Sequence, residues 1–280
     1  MFTKILDVFI FTSVYIALCA VIMVWQTNWL LELTVPAGYF WFVFFSTICS
    51  YNFHWWLTPG ELSPVKRLQW ITFQPAMQWV LMGISAIASA FFFFKLWEHA
   101  HWLMLGALLT FLYSAPKLPV KASNVLKKIA IGKTIYLSFV WTYVTAVLPL
   151  LIDGHYWDKS DLLFVASRFF LIYAICIVFD FRDREQDRRE GIRSMITYFN
   201  ERGVDIVFYL SLLFFFIATG LLIAFDFSIA SVIILAFPGL LVWVLYPYSK
   251  KSASAYLYFF VLDGLMMLSS LMMLCVTLLR

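Results

Sequence analysis

Three aspartates, Asp180, Asp183 and Asp187, recur at i, i+3 and i+7 in a segment reading Phe179-Asp180-Phe181-Arg182-Asp183-Arg184-Glu185-Gln186-Asp187-Arg188-Arg189. On a helix that spacing puts the three carboxylates on one face. Carboxylates so placed repel one another unless a cation lies between them. A hard cation such as Mg²⁺ takes oxygen ligands and commonly bridges carboxylates to substrate phosphates. The interleaved Arg182, Arg184 and Arg188 are planar, permanently charged donors suited to diphosphate oxygens. The same segment also reads as a solvated charged loop rich in internal ion pairs, and spacing alone leaves both readings open.

The elements that must position these residues are membrane helices. Of 280 residues, 63% are hydrophobic and only 13% charged. A soluble domain of this size carries roughly a quarter charged residues, so a water-soluble globule is excluded. Aromatics make up 20%, with 30 Phe, 14 Tyr and 12 Trp, a load suited to lipid-facing surface, interfacial belts and an apolar internal cavity. Nine apolar runs, at about 6–25, 37–57, 70–94, 99–115, 131–152, 161–180, 204–225, 228–247 and 254–278, approach the ~20 residues a spanning helix needs. The first run is too long for a signal peptide and reads as a helix. The expected fold is therefore all-α, a polytopic bundle of about nine transmembrane helices in a single domain covering residues 1–280.

With nine spans, sixteen of the twenty Lys and Arg fall on the side of the N-terminus and three on the other, with Arg168 inside a run. By the positive-inside rule the N-terminus is expected in the cytoplasm and the C-terminus outside. The longer polar segments, after the second, fourth and sixth runs, then share the cytoplasmic face, where chemistry is expected. Cys19, Cys49, Cys176 and Cys275 lie in apolar runs without metal-ligand spacing and read as buried structural thiols. Ionisable residues inside spans are functional candidates by default. Arg168 and Asp263 are candidates to pair across the bundle, and Lys133, opening the fifth run, is placed either to bind diphosphate or to snorkel.

The pattern D-x-x-D-R-x-x-D-x-x-x-G from Asp180 to Gly191, closing a sixth helix, resembles the second Asp-rich motif of the UbiA-type intramembrane aromatic prenyltransferases. Tyr113-Ser114-Ala115-Pro116-Lys117 at the end of the fourth run resembles that family's Y-S-x-P element, and the nine-helix layout is similar too. The resemblance implies Mg²⁺-dependent transfer of a prenyl group from a polyprenyl diphosphate to an aromatic or other lipid-soluble acceptor. It assigns Asp180, Asp183 and Asp187 as catalytic and metal-ligating residues. Lys133, Arg182, Arg184 and Arg188, together with Asn52, would bind diphosphate. The family's first motif, N-D-x-x-D-x-x-x-D, should close the second run. Here Asn52 matches its Asn, but Phe53, Trp56 and Gly60 stand at the three Asp positions. His54 and Glu61 are the possible substitute ligands or bases, and a single Mg²⁺ is expected rather than two. The alternatives are a repurposed relative that binds an isoprenoid or quinone-type lipid without turnover, and a transporter. No internal repeat of the kind transporters carry is visible. The expected partners are prenyl diphosphate, acceptor and membrane lipid. No nucleic acid and no obligate protein partner is expected.

Overall fold

The computed structural model describes residues 2–58, 75–115, 132–190, 199–252 and 254–279, with side chains left aside for 2–4 and 185–190. No strand occurs among them. Helices α1 (Phe2–Phe11) and α2 (Val14–Leu30) are followed by α3 (Ala37–Trp56), α4 (Pro75–Lys95) and α5 (Ala100–Ser114). Next, α6 (Lys133–Thr142) runs through a π-helical segment, Tyr143–Val147, into α7 (Leu148–Asp153). The chain then forms α8 (Lys159–Glu190), α9 (Glu201–Leu221) and α10 (Ile229–Ser249), and a second π-helical segment, Leu257–Leu262, leads into α11 (Asp263–Leu278). The described parts of the nine apolar runs are mainly helical, the first run being divided between α1 and α2.

Among the described residues six helical stretches are long and apolar enough to cross a membrane: Pro75–Lys95, Lys133–Asp153, Lys159–Arg184, Glu201–Phe225, Ile229–Ser249 and Leu257–Leu278. The protein is an integral membrane protein built as a helical bundle. The bent pair α1/α2 makes a seventh crossing when taken as one span. The expected count of about nine adds α3 and the fifteen-residue α5. α3 is long enough, but its Tyr, Asn, His and Trp residues lower its hydropathy.

The first run is not one straight helix. Its two halves meet at 61°, around Ser13 at φ 69°. In a straight helix the Thr12 carbonyl would accept from the amide four residues on. At this break it accepts from the Asn52 side-chain amide at 3.0 Å instead. A buried polar group in hydrocarbon must find such a partner.

The two π segments also leave carbonyls to other helices: in the second, the Phe260 carbonyl accepts from the Tyr15 hydroxyl at 2.8 Å, and the first leaves two. The Val144 carbonyl accepts from the Tyr39 hydroxyl at 2.6 Å, and the Thr145 carbonyl from the Thr27 hydroxyl at 2.6 Å. Helices α2 and α3 are thus tied to the middle of the α6–α7 span. The thiols divide: Cys19 and Cys176 are buried, whereas Cys49 is half-buried and Cys275, on the last helix, is exposed.

At 32 residues, α8 is the longest element. Its roughly 48 Å exceeds the ~30 Å hydrocarbon core, so helix continues from the apolar section through all three aspartates. Arg168, midway along its apolar part, does not pair with Asp263. Its guanidinium donates to the Gln26 side-chain oxygen at 2.9 Å and to the Met23 carbonyl at 3.3 Å. Ser270 donates to the same Gln26 oxygen at 2.8 Å. The neutral amide spreads the charge, and Asp263 lies in the wall of a cavity.

Candidate active site

That cavity, of about 520 Å³, opens among the ends of α3, α5 and α8 and the start of α6. Its polar mouth carries His54 of α3 and Thr58 just past the end of that helix, Ser114 of α5, Lys133 of α6, and Arg182 and Asp183 of α8. The interior is apolar and aromatic, with Tyr51, Trp141, Leu103, Val144 and Leu148 in the wall. Concave, mainly apolar space with a few converging polar groups is the usual form of a small-molecule site.

Arg182 is the most constrained group at the mouth. Its Nε and Nη2 donate to the two carboxylate oxygens of Asp183 at 2.7 and 3.0 Å. Its guanidinium lies 4.9 Å from the Phe179 ring, 4.7 Å from Phe259 and 5.6 Å from Tyr258. Three aromatic faces and one bidentate partner fix its plane. The remaining nitrogen, Nη1, is buried and has no hydrogen-bond partner among the described residues. An unpaired donor on a buried cation is costly unless a ligand oxygen meets it.

The two sequence elements singled out at the ends of the second and fourth runs touch. His54 Nδ1 lies 3.1 Å from the Ser114 hydroxyl, and the His54 ring stacks on Tyr113 with centroids 5.0 Å apart. Deeper in the wall, Trp141 Nε1 donates to the Tyr51 hydroxyl at 3.1 Å.

Other expected site residues are placed differently. Asn52 is fully buried and absent from the cavity wall; its amide nitrogen also donates to the Ile48 carbonyl at 2.8 Å. The structure gives it a structural bond at the α1/α2 bend where the resemblance implied a diphosphate contact. Asp180 is buried behind the mouth and accepts from the Thr134 hydroxyl at 2.7 Å, tying α8 to the start of α6. Arg184 lies outside the wall, with its Nε buried and unbonded among the described residues. Asp187 and Arg188 continue α8, but their side chains, like the whole of Glu61, lie outside the described residues. Sequence reasoning missed Phe179, Phe259 and Tyr258 as partners of Arg182. Phe179 sits three residues before it on the same helix, and that spacing was the available signal.

Mg²⁺ retains several waters and binds through one or two carboxylates plus substrate phosphates. The described donors would give one such ion Asp183 on the mouth; Asp187 follows one turn along α8. The described donors do not fit a second, because Phe53 lines the cavity where the first motif would supply a carboxylate. Among the described residues no group of three His, Cys, Asp or Glu converges on one point.

Comparison with curated proteins gives no match, and comparison with solved structures gives none. The model of the UbiA prenyltransferase family matches residues 72–271, well over half of the chain and beginning after the altered first motif. The chain belongs to the UbiA prenyltransferase family.

Proposed function

We propose that this chain transfers a prenyl group from a prenyl diphosphate to an aromatic or other lipid-soluble acceptor in the membrane, using one Mg²⁺ ion at most. The observation that carries the proposal is the Nη1 of Arg182, buried and without a hydrogen bond among the described residues, at the mouth of an apolar cavity. Diphosphate oxygens would complete its hydrogen bonding, and Lys133 adds a second positive charge at the same mouth. The ion, when bound, would be held by Asp183, with Asp187 near, and would help neutralise the diphosphate.

The chemistry follows from that placement. The allylic C–O bond breaks with its electron pair leaving on the diphosphate, whose charge Arg182 and Lys133 stabilise. The allylic cation is left among aromatic faces such as Tyr51 and Trp141, which attract positive charge. The acceptor supplies the electron pair for the new bond and loses a proton.

A second reading, a relative that binds the prenyl compound without turnover, is favoured by one observation. Phe53 and Trp56 occupy Asp positions of the first motif, and Phe53 faces the cavity.

Titration of the detergent-purified protein with farnesyl diphosphate separates these readings. Arg182→Ala should weaken binding by about 10- to 100-fold, the worth of a hydrogen bond to a charged group. Diphosphate release should need Mg²⁺ and disappear in Asp183→Asn. Binding without release across a panel of phenolic and quinol acceptors supports the second reading. Equal affinity in wild type and Arg182→Ala would sink both.

A further inference from the structure

We infer that the closed inner end of the cavity limits the donor to a short prenyl diphosphate, of about three to four isoprene units. This deepens the proposed function and rests on it. The cavity wall follows one span from Lys133 at the mouth to Leu148 at the inner end. Fifteen residues of helix cover roughly 20 Å, so the cavity ends inside the bundle.

Its floor is built from Leu103 and Leu148, each about 1% exposed, with Gly106 and Val144 beside them. Gly106 lets α5 close on the Tyr143 ring: a Cβ placed there would lie 3.2 Å from it. The Tyr143 hydroxyl donates to the Trp102 carbonyl at 3.0 Å. Tyr39, itself buried, donates to the Val144 carbonyl at 2.6 Å. Both bonds cross between helices, so the floor is braced by groups that would be left unsatisfied in hydrocarbon if it swung open.

A prenyl chain has four backbone bonds per isoprene unit, and at the roughly 1.1–1.2 Å per bond of an extended backbone a depth of roughly 20 Å takes about four units. A C15 tail with its diphosphate in the polar mouth fills that space. A C20 tail is near the limit, and a C45 tail, of nine units, is about twice too long.

The test uses the full chain in detergent with geranyl (C10), farnesyl (C15), geranylgeranyl (C20) and solanesyl (C45) diphosphates, read by dissociation constants with and without Mg²⁺. Wild type should bind C15 or C20 at least about tenfold tighter than C45, the scale on which an apolar pocket discriminates by size. Leu148→Ala, which lowers the floor, should move the preference towards C20. Val144→Phe, which raises it, should move the preference towards C10, so the length preference turns on two variants of opposite sign. Affinity that is the same for C15 and C45, or variants that shift all lengths alike, would overturn the inference and leave the proposed function standing. Failure of every length to bind would overturn both.

Discussion

Asp180 and Asp183 share a face of α8 and a motif, yet they do different work. Asp183 holds the guanidinium that looks into the cavity, and Asp180 holds the start of α6 through Thr134. Thr134→Val should therefore leave a buried carboxylate short of a donor and destabilise the bundle by about 1–3 kcal/mol. Prenyl diphosphate affinity should stay unchanged. Thermal unfolding in detergent checks the first half and ligand titration the second; loss of affinity without loss of stability would place Asp180 in the site after all. The type and spacing of Asp180, Asp183 and Arg182 were readable from the chain. The division of labour between the two aspartates was not, because it depends on which residue of a distant helix each one meets.

At the scale of elements, the i, i+3, i+7 carboxylates implied that the sixth run continues as helix past its apolar section, and α8 does so through Glu190. The α1/α2 bend had no such signal. Residues 6–25 contain neither Pro nor Gly, and the left-handed Ser13 is invisible to hydropathy. Missing the bend, a reader of the sequence had no reason to expect Asn52 to serve the Thr12 carbonyl. The π segments are equally silent, since one extra residue in a turn leaves an apolar run apolar.

The start of α8 yields a pH prediction. Asp158 accepts from the Ser160 hydroxyl at 2.7 Å and the Asp161 amide at 2.9 Å. The Asp161 carboxylate accepts in turn from the Asp158 amide at 2.9 Å, a reciprocal cap. The Ser160 hydroxyl, first, and the backbone amides hold the Asp158 carboxyl below its ordinary range. A carboxyl lowered in the folded state contributes stability that is complete above its unfolded pKa and lost as pH falls through the folded one. Protection of the first amides of α8 from exchange should hold from neutral into mild acid and fall only below the usual carboxylate range. In Asp158→Ala it should be weak at every pH; a flat, unchanged profile would discount the cap.

Among the described residues charge is segregated: Lys133, Arg182 and Asp183 at the mouth of the cavity and Lys250 at the end of α10 lie at one end of the bundle. We expect that end in the cytoplasm. A reporter active only outside, such as alkaline phosphatase, should work when fused after Arg280 and fail when fused before Met1. The reverse result would invert the bundle. The fold class and the rough count of spans were legible because hydropathy is a property of long stretches. The cavity was not, because it is a space between seven helical spans and belongs to no segment. The hydrogen bonds that cross to the π segment carry a consequence for how the protein is made. Thr27 and Tyr39 leave the ribosome more than a hundred residues before the carbonyls of Thr145 and Val144 that they serve. Thr27 meanwhile has the Met23 carbonyl of its own helix at 3.1 Å, whereas the Tyr39 hydroxyl has no such bond within α3 among the described residues. The early helices can therefore enter the bilayer but cannot finish packing until the middle of the chain arrives. A nascent chain stalled before Tyr143 should remain a loose, protease-sensitive set of helices.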